Sequence, residues 1–236
     1  MTNQKEEHNT QIGPSLEDFV YGAIDGTVTT FAVVAGVAGA NLAGGIALIL
    51  GFANLLSDGF SMAASDFLSK RSKKQFMERE RKREEHEVEN MPGRERSEIR
   101  EIYKKKGFKG KLLDQVVATI ISNKKRWVDV MMREELNLVE DGRGAGKSAI
   151  VTFFSFLIIG IIPLFAYLMA YVNPFFADHT FFLACVLTAL TFFSIGAIKG
   201  KIVQMHPLRS GFQTLCIGGS AAAIAYLVGM LLSTIA

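Results

Sequence analysis

Cysteine, proline, tryptophan and histidine are scarce in this chain, at 2, 5, 1 and 4 of 236 residues. Cys185 and Cys216 each fall inside an apolar stretch and read as small buried hydrophobes, so no disulfide is expected. Neither a CxxC nor an HExxH motif occurs, which argues against a structural or hydrolytic zinc site. The Glu-x-x-His pairs of di-iron enzymes are missing too: the residue three before His86 is Arg83, and a ferroxidase reading loses its support. The run "DGRGAGKS" ends like a phosphate-binding loop. Its first glycine would have to stand at Asp141, however, and the run follows a helical pattern rather than a strand, so no nucleotide partner is expected, nor a nucleic acid. The N-terminal "MTNQKEEHNT" lacks the basic-then-apolar pattern of a signal peptide, and no cleavage is expected.

Basic charge is absent from most of the chain. Of 26 Lys and Arg, 22 lie between Lys70 and Lys147. The remainder is strongly apolar, which explains how 49% hydrophobic residues coexist with 21% charged ones. A bilayer span needs about 20 apolar residues, and five stretches supply them, at roughly 19–41, 44–68, 148–172, 179–200 and 208–235. The expected fold is therefore an all-α membrane protein with five transmembrane helices and a cytoplasmic helical insert between spans 2 and 3. Its parts are a cytoplasmic N-terminal tail (1–18), spans 1 and 2 (19–69), the insert as a metal-binding domain (70–147) and spans 3 to 5 (148–236). The basic insert and "KGKIVQMHPLR" between spans 4 and 5 are placed in the cytoplasm by their charge, with the N-terminus on the same side.

An ionisable side chain within a span is expensive and marks a functional position by default. The first span keeps Asp25, on a face with Thr29. In the second, Asn54, Asp58 and Met62 recur every four residues and share one helical face, with Ser61 and Ser65 alongside. One stripe thus offers amide oxygen, carboxylate and thioether. Small residues spaced by four, Gly22 with Gly26 and Gly36 with Ala40, allow close helix approach. Together the two stripes suggest a lined path.

The insert is too long to lack structure and reads as helices over 72–90, 94–106, 110–121 and 123–139. Glu84 and Glu87 share a face, as do Glu95 and Glu98, and Met131 lies four residues before Glu135 with Met132 adjacent. Glu80 and Glu101 extend the first two faces. Composition alone favours a solvated, ion-paired surface. The methionines tilt the balance, because hard carboxylate oxygens mixed with thioether suit a first-row transition ion better than Mg²⁺ or Ca²⁺.

The ordered combination of "GAIDGTVTTFAVVAGVAGA", "NLLSDGFSMAASDFLS", a Glu-rich insert and "WVDVMMREELNL" resembles the vacuolar iron transporter family over nearly the whole chain, from about residue 17 onward. The resemblance implies a five-span homodimer in the lipid bilayer that moves Fe²⁺, in some members Mn²⁺, out of the cytoplasm in exchange for protons. It assigns Asp25 and Met62 to the transport path, and Glu84, Glu87, Glu95, Glu98, Glu135, Met131 and Met132 to cytoplasmic metal binding. Where some members carry a glutamate in the second span this chain has Asn54, with Asp58 one turn further on as the substitute carboxylate.

The expected function is accordingly a secondary-active Fe²⁺ exporter, not an enzyme, with no permanent cofactor. Buried carboxyls that hold protons without metal and surrender them to an arriving cation supply the exchange. Two alternatives stand beside it: a Mn²⁺ exporter of the same fold, since ligand chemistry separates the two ions poorly, and a non-transporting membrane-anchored metal buffer or sensor. The expected location is a bacterial inner membrane, or a vacuolar membrane in a eukaryote.

Overall fold

The computed structural model describes residues 12–139 and 144–233. The expectations for the tail at 1–11, and the part of the phosphate-loop-like run at 141–143, lie outside the described residues. Every regular element among them is an α-helix: α1 (Ile12–Gly39), α2 (Gly44–Asn90), α3 (Pro92–Lys105), α4 (Gly110–Ile121), α5 (Lys124–Glu134), α6 (Ala145–Gly160), α7 (Ile162–Met169), α8 (Pro174–Asp178), α9 (Thr180–Ile202) and α10 (Pro207–Leu232). The chain divides into two compact units, one of residues 1–67 with 143–236 and the other of residues 68–142.

The first unit holds the long apolar helices. Five helical stretches are long and apolar enough to cross a membrane: 15–39, the helix 44–90 through its apolar first half, 145–169, 180–202 and 207–232. Here α1 is the central element and packs on α6, α9 and α10. The small residues seen in the sequence set those distances. A Cβ on Gly26 would stand 2.5 Å from the Phe156 carbonyl oxygen, and one on Gly22 the same distance from that of Thr152, so α1 and α6 touch backbone to backbone. At the other end, a Cβ on Gly229 would meet the Gly36 carbonyl at 2.2 Å, which fixes the α1–α10 crossing. The helix α2 presents Gly51, Leu55 and Gly59 to Leu164, Gly160 and Phe156.

Three details differ from the sequence expectation. There is no break between the second span and the insert: no glycine or proline interrupts 60–90, so α2 continues as one helix into charged sequence. The third span is two helices meeting at Ile161, because Pro163 has no N–H to continue the ladder. The insert's last helix stops at Glu134 rather than 139, and Asn137 takes a positive φ of 56° while the Leu138 N–H turns back to the Met132 carbonyl. The short α8, capped by the Asn173 side chain on the Phe175 N–H, occupies the turn before α9.

The second unit is a small helical stack around Val88, Ile99, Leu113, Val117, Ile120, Trp127, Val128, Met131 and Met132. Pro92 opens α3 where its missing N–H costs nothing, with Glu95 in the first turn and Lys104 and Lys105 in the last, complementing the helix dipole. The Asn123 side chain caps α5 by accepting the Arg126 N–H.

Candidate functional site

Two carboxylate groups meet in the second unit. Oxygens of Glu84, Glu87 and Glu95 lie within 4.8 Å of one another, and so do those of Glu95, Glu98 and Glu135. Glu95 belongs to both. The i,i+3 spacing on α2 and on α3 brings each pair to the face where the helices meet, and Glu135, at the C-terminal end of α5, closes the group.

This is not a solvated face. Glu95 is 0% exposed and Glu84 4%. Among the described residues, both oxygens of Glu95 and Oε2 of Glu84 have no hydrogen-bond partner, although a buried ionised carboxylate without partners is costly. Burial, reinforced by the neighbouring carboxylates, pushes Glu84 and Glu95 up to about 7, and raises Glu135. Among the described residues, counter-charge reaches only the rim, where Arg83 holds Glu87 and Arg94 holds Glu98, each at 3.0 Å. A cluster with unspent oxygens, half-protonated near neutral pH, can exchange protons for a multivalent cation.

Met131 and Met132 are buried in the core of the same unit. Met131 stands one turn before Glu135, whose N–H its carbonyl accepts. Glu80 is also buried, but it is gripped by Arg79 at 2.6 Å, and Glu101 is exposed; neither joins the group of five carboxylates. The sequence pattern that placed them on the same faces could not tell an oxygen already paired with arginine from one left open.

In the first unit, Asp25 on α1 and Asp58 on α2 are half-buried and close enough for their charges to interact. Asn54 and Met62 are half-buried as well, and Ser57, Ser61 and Ser65 on the same side of α2 are exposed, away from the face that packs on α6 and α7. The Thr29 hydroxyl spends its proton on the Asp25 carbonyl at 2.9 Å. Asp25 also lines a cavity of about 950 Å³ with Glu17, Tyr21, Lys199 and Gln204. The sequence reading missed Glu17, although the four-residue steps Glu17, Tyr21, Asp25 carried the signal. Cys185 and Cys216 are both free thiols.

Five apolar helices and a carboxylate-rich helical unit define a polytopic membrane protein with a candidate cation site. A family model described as the VIT family matches residues 16–230, and the chain belongs to that family. It is similar to the vacuolar iron transporter of Toxoplasma gondii, at 38% identity over 99% of this chain and 79% of the relative. It is also similar to that of Plasmodium falciparum, at 33% over 96% and 85%, and to vacuolar iron transporter 1 of Arabidopsis thaliana, at 33% over 96% and 89%.

Proposed function

We propose that this protein carries a divalent first-row transition ion, Fe²⁺ in the first place, out of the cytoplasm in exchange for protons. In this reading the second unit is cytoplasmic, consistent with its basic charge, and collects the ion on Glu84, Glu87, Glu95, Glu98 and Glu135 with Met131 and Met132. The membrane ligands are Asp25, Asp58 and Met62, with Asn54 on the same face.

The observation that carries the reading is the pair of carboxylate triads sharing Glu95, whose buried oxygens have no partner among the described residues. A cation of charge two would supply what these oxygens lack, and it would displace the protons that burial keeps on Glu84 and Glu95. The names of the relatives support iron as the cargo. The half-buried carboxylate pair Asp25 and Asp58 disfavours a mere anchor, which gains nothing from charge inside a span. The exposed serines beside Asp58 favour a homodimer, because a second copy would shield that polar stripe from lipid. A bacterial inner membrane is the proposed setting.

The test is Fe²⁺ uptake under anaerobic conditions into sealed proteoliposomes, with Mn²⁺ as competitor. Uptake above protein-free vesicles is expected, and a stronger effect of Mn²⁺ than of unlabelled Fe²⁺ would reassign the ion. Binding without uptake would make the protein a buffer or sensor.

A further inference from the structure

Part of the positive charge on the second unit is matched. Arg79 and Arg83 hold Glu80, Arg81 holds Asp129, Arg94 holds Glu98, Arg100 holds Asp114 and Lys124 holds Glu89. The turn joining α3 to α4 gathers the densest run of lysines outside those pairs. Its sequence "KKKGFKGK" puts Lys104, Lys105, Lys106, Lys109 and Lys111 within eight residues, all exposed. Among the described ion pairs only Lys106 has a carboxylate, that of Glu134. The one other acidic residue in the immediate sequence besides Asp114 is Glu101, exposed and one turn before Lys105.

The turn is also firmly built. Gly107 and Gly110 take φ of +97° and +55°, conformations that a lysine in their place would resist. The Gly107 and Phe108 N–H groups bond the carbonyls of Lys104 and Tyr103 at 3.0 and 3.2 Å, and the Phe108 ring packs edge-on against Tyr103. Four lysines are thereby held outward at fixed spacing, beside Leu112, which is 56% exposed. Lys106 ties the turn to the end of α5 through Glu134.

We propose that the α3–α4 turn, through Lys104, Lys105, Lys109 and Lys111 with Leu112, docks on an anionic membrane surface. Unpaired lysines beside an exposed leucine, on a unit joined to a span through the continuous α2, match the charge and the apolar edge of an acidic leaflet. Attachment through α2 keeps the surface at high effective concentration, so weak contacts suffice. Docking of this kind would hold the carboxylate cluster in a fixed place relative to the bilayer, an effect separate from metal binding itself.

The test uses the full chain in nanodiscs, with Cys185 and Cys216 replaced by serine and a fluorophore on Leu112→Cys. Discs contain either neutral lipid alone or about 30% anionic lipid, with a nitroxide quencher on the headgroups. Strong quenching is expected only in anionic discs at 0.15 M salt. It should be lost at 1 M salt, where the screening length falls from about 8 to about 3 Å. Each lysine contributes about fivefold to the docked-to-free ratio, so Lys109→Gln should lower it about fivefold, and glutamine at all four positions should abolish quenching. Trp127, the chain's single tryptophan and buried, reports through its emission that the unit remains folded. Equal quenching in both discs, or quenching that survives the four substitutions, overturns the proposal. So does an absence of quenching in any disc; if added poly-glutamate then shifts the fluorophore, the patch belongs to a soluble acidic partner instead.

Discussion

Lowering the pH from 8 to 6 should weaken metal binding to the carboxylate cluster by as much as about 100-fold. Glu84 and Glu95 are each pushed up to about 7 by burial and by neighbouring carboxylates. A group with that value is about ten-elevenths ionised at pH 8 and about one-eleventh at pH 6, a tenfold change each, or about 2.7 kcal/mol for the two together. Because the pair is coupled, the protons leave in steps that belong to the cluster rather than to either residue, which spreads the change over a wider range. Calorimetric titration of the full chain with Co²⁺, or with Fe²⁺ under anaerobic conditions, in buffers of different ionisation enthalpy gives affinity and proton release together. Close to two protons per metal should leave at pH 6 and almost none at pH 8. The same shift has a sign for stability. The folded state holds protons more tightly than the unfolded chain, so the stabilisation is complete below the ordinary value of 4.5 and is lost as pH rises through about 7. Metal-free protein should therefore melt lower at pH 8 than at pH 6, and metal should restore it. Equal affinity at both pH values with no proton release would refute the reasoning.

Three further outcomes follow from the geometry. Asp25→Ala should abolish Fe²⁺ flux in proteoliposomes while the protein stays folded by circular dichroism, and Asp58→Asn should impair flux or flatten its pH dependence; wild-type flux in Asp25→Ala removes that residue from the path. Replacing Glu95 and Glu98 with alanine should weaken metal binding in the calorimeter and reduce transport without abolishing it, because the proposed membrane ligands remain, whereas unchanged binding would make the cluster an ordinary acidic surface. Gly26→Ala should lower the melting temperature in nanodiscs, since its Cβ would lie 2.5 Å from a backbone oxygen of Phe156 and α1 would have to move off α6, at a cost of about 1–3 kcal/mol.

Long apolar runs and helical spacing made much of this molecule legible in its sequence. The five spans could be counted because hydrocarbon thickness sets a length that few other structures need. Glu84, Glu87, Glu95 and Glu98 could be paired because i,i+3 spacing places them on one face before any tertiary contact is known. The continuity of α2 through residue 90 was not legible, because a change from apolar to charged side chains leaves helix propensity intact. Nor could the pattern separate Glu80, neutralised by Arg79, from Glu95, whose oxygens stay open, since that depends on which residues fold over each carboxylate. The half-protonated state of Glu84 and Glu95 is likewise a property of burial and not of spacing. The approach of Asp58 to Asp25 required α1 and α2 both to pack on α6, which no local pattern reports.

Coupled flux tests the central claim most directly. Wild-type protein in sealed vesicles is given Fe²⁺ on the side exposing the second unit, under anaerobic conditions, with the opposite compartment acidic, while metal and internal pH are followed together. Fe²⁺ should enter as protons leave, faster with the gradient than without it, and collapsing the gradient should slow both. Metal entry at an unchanged rate with no proton movement would contradict the account.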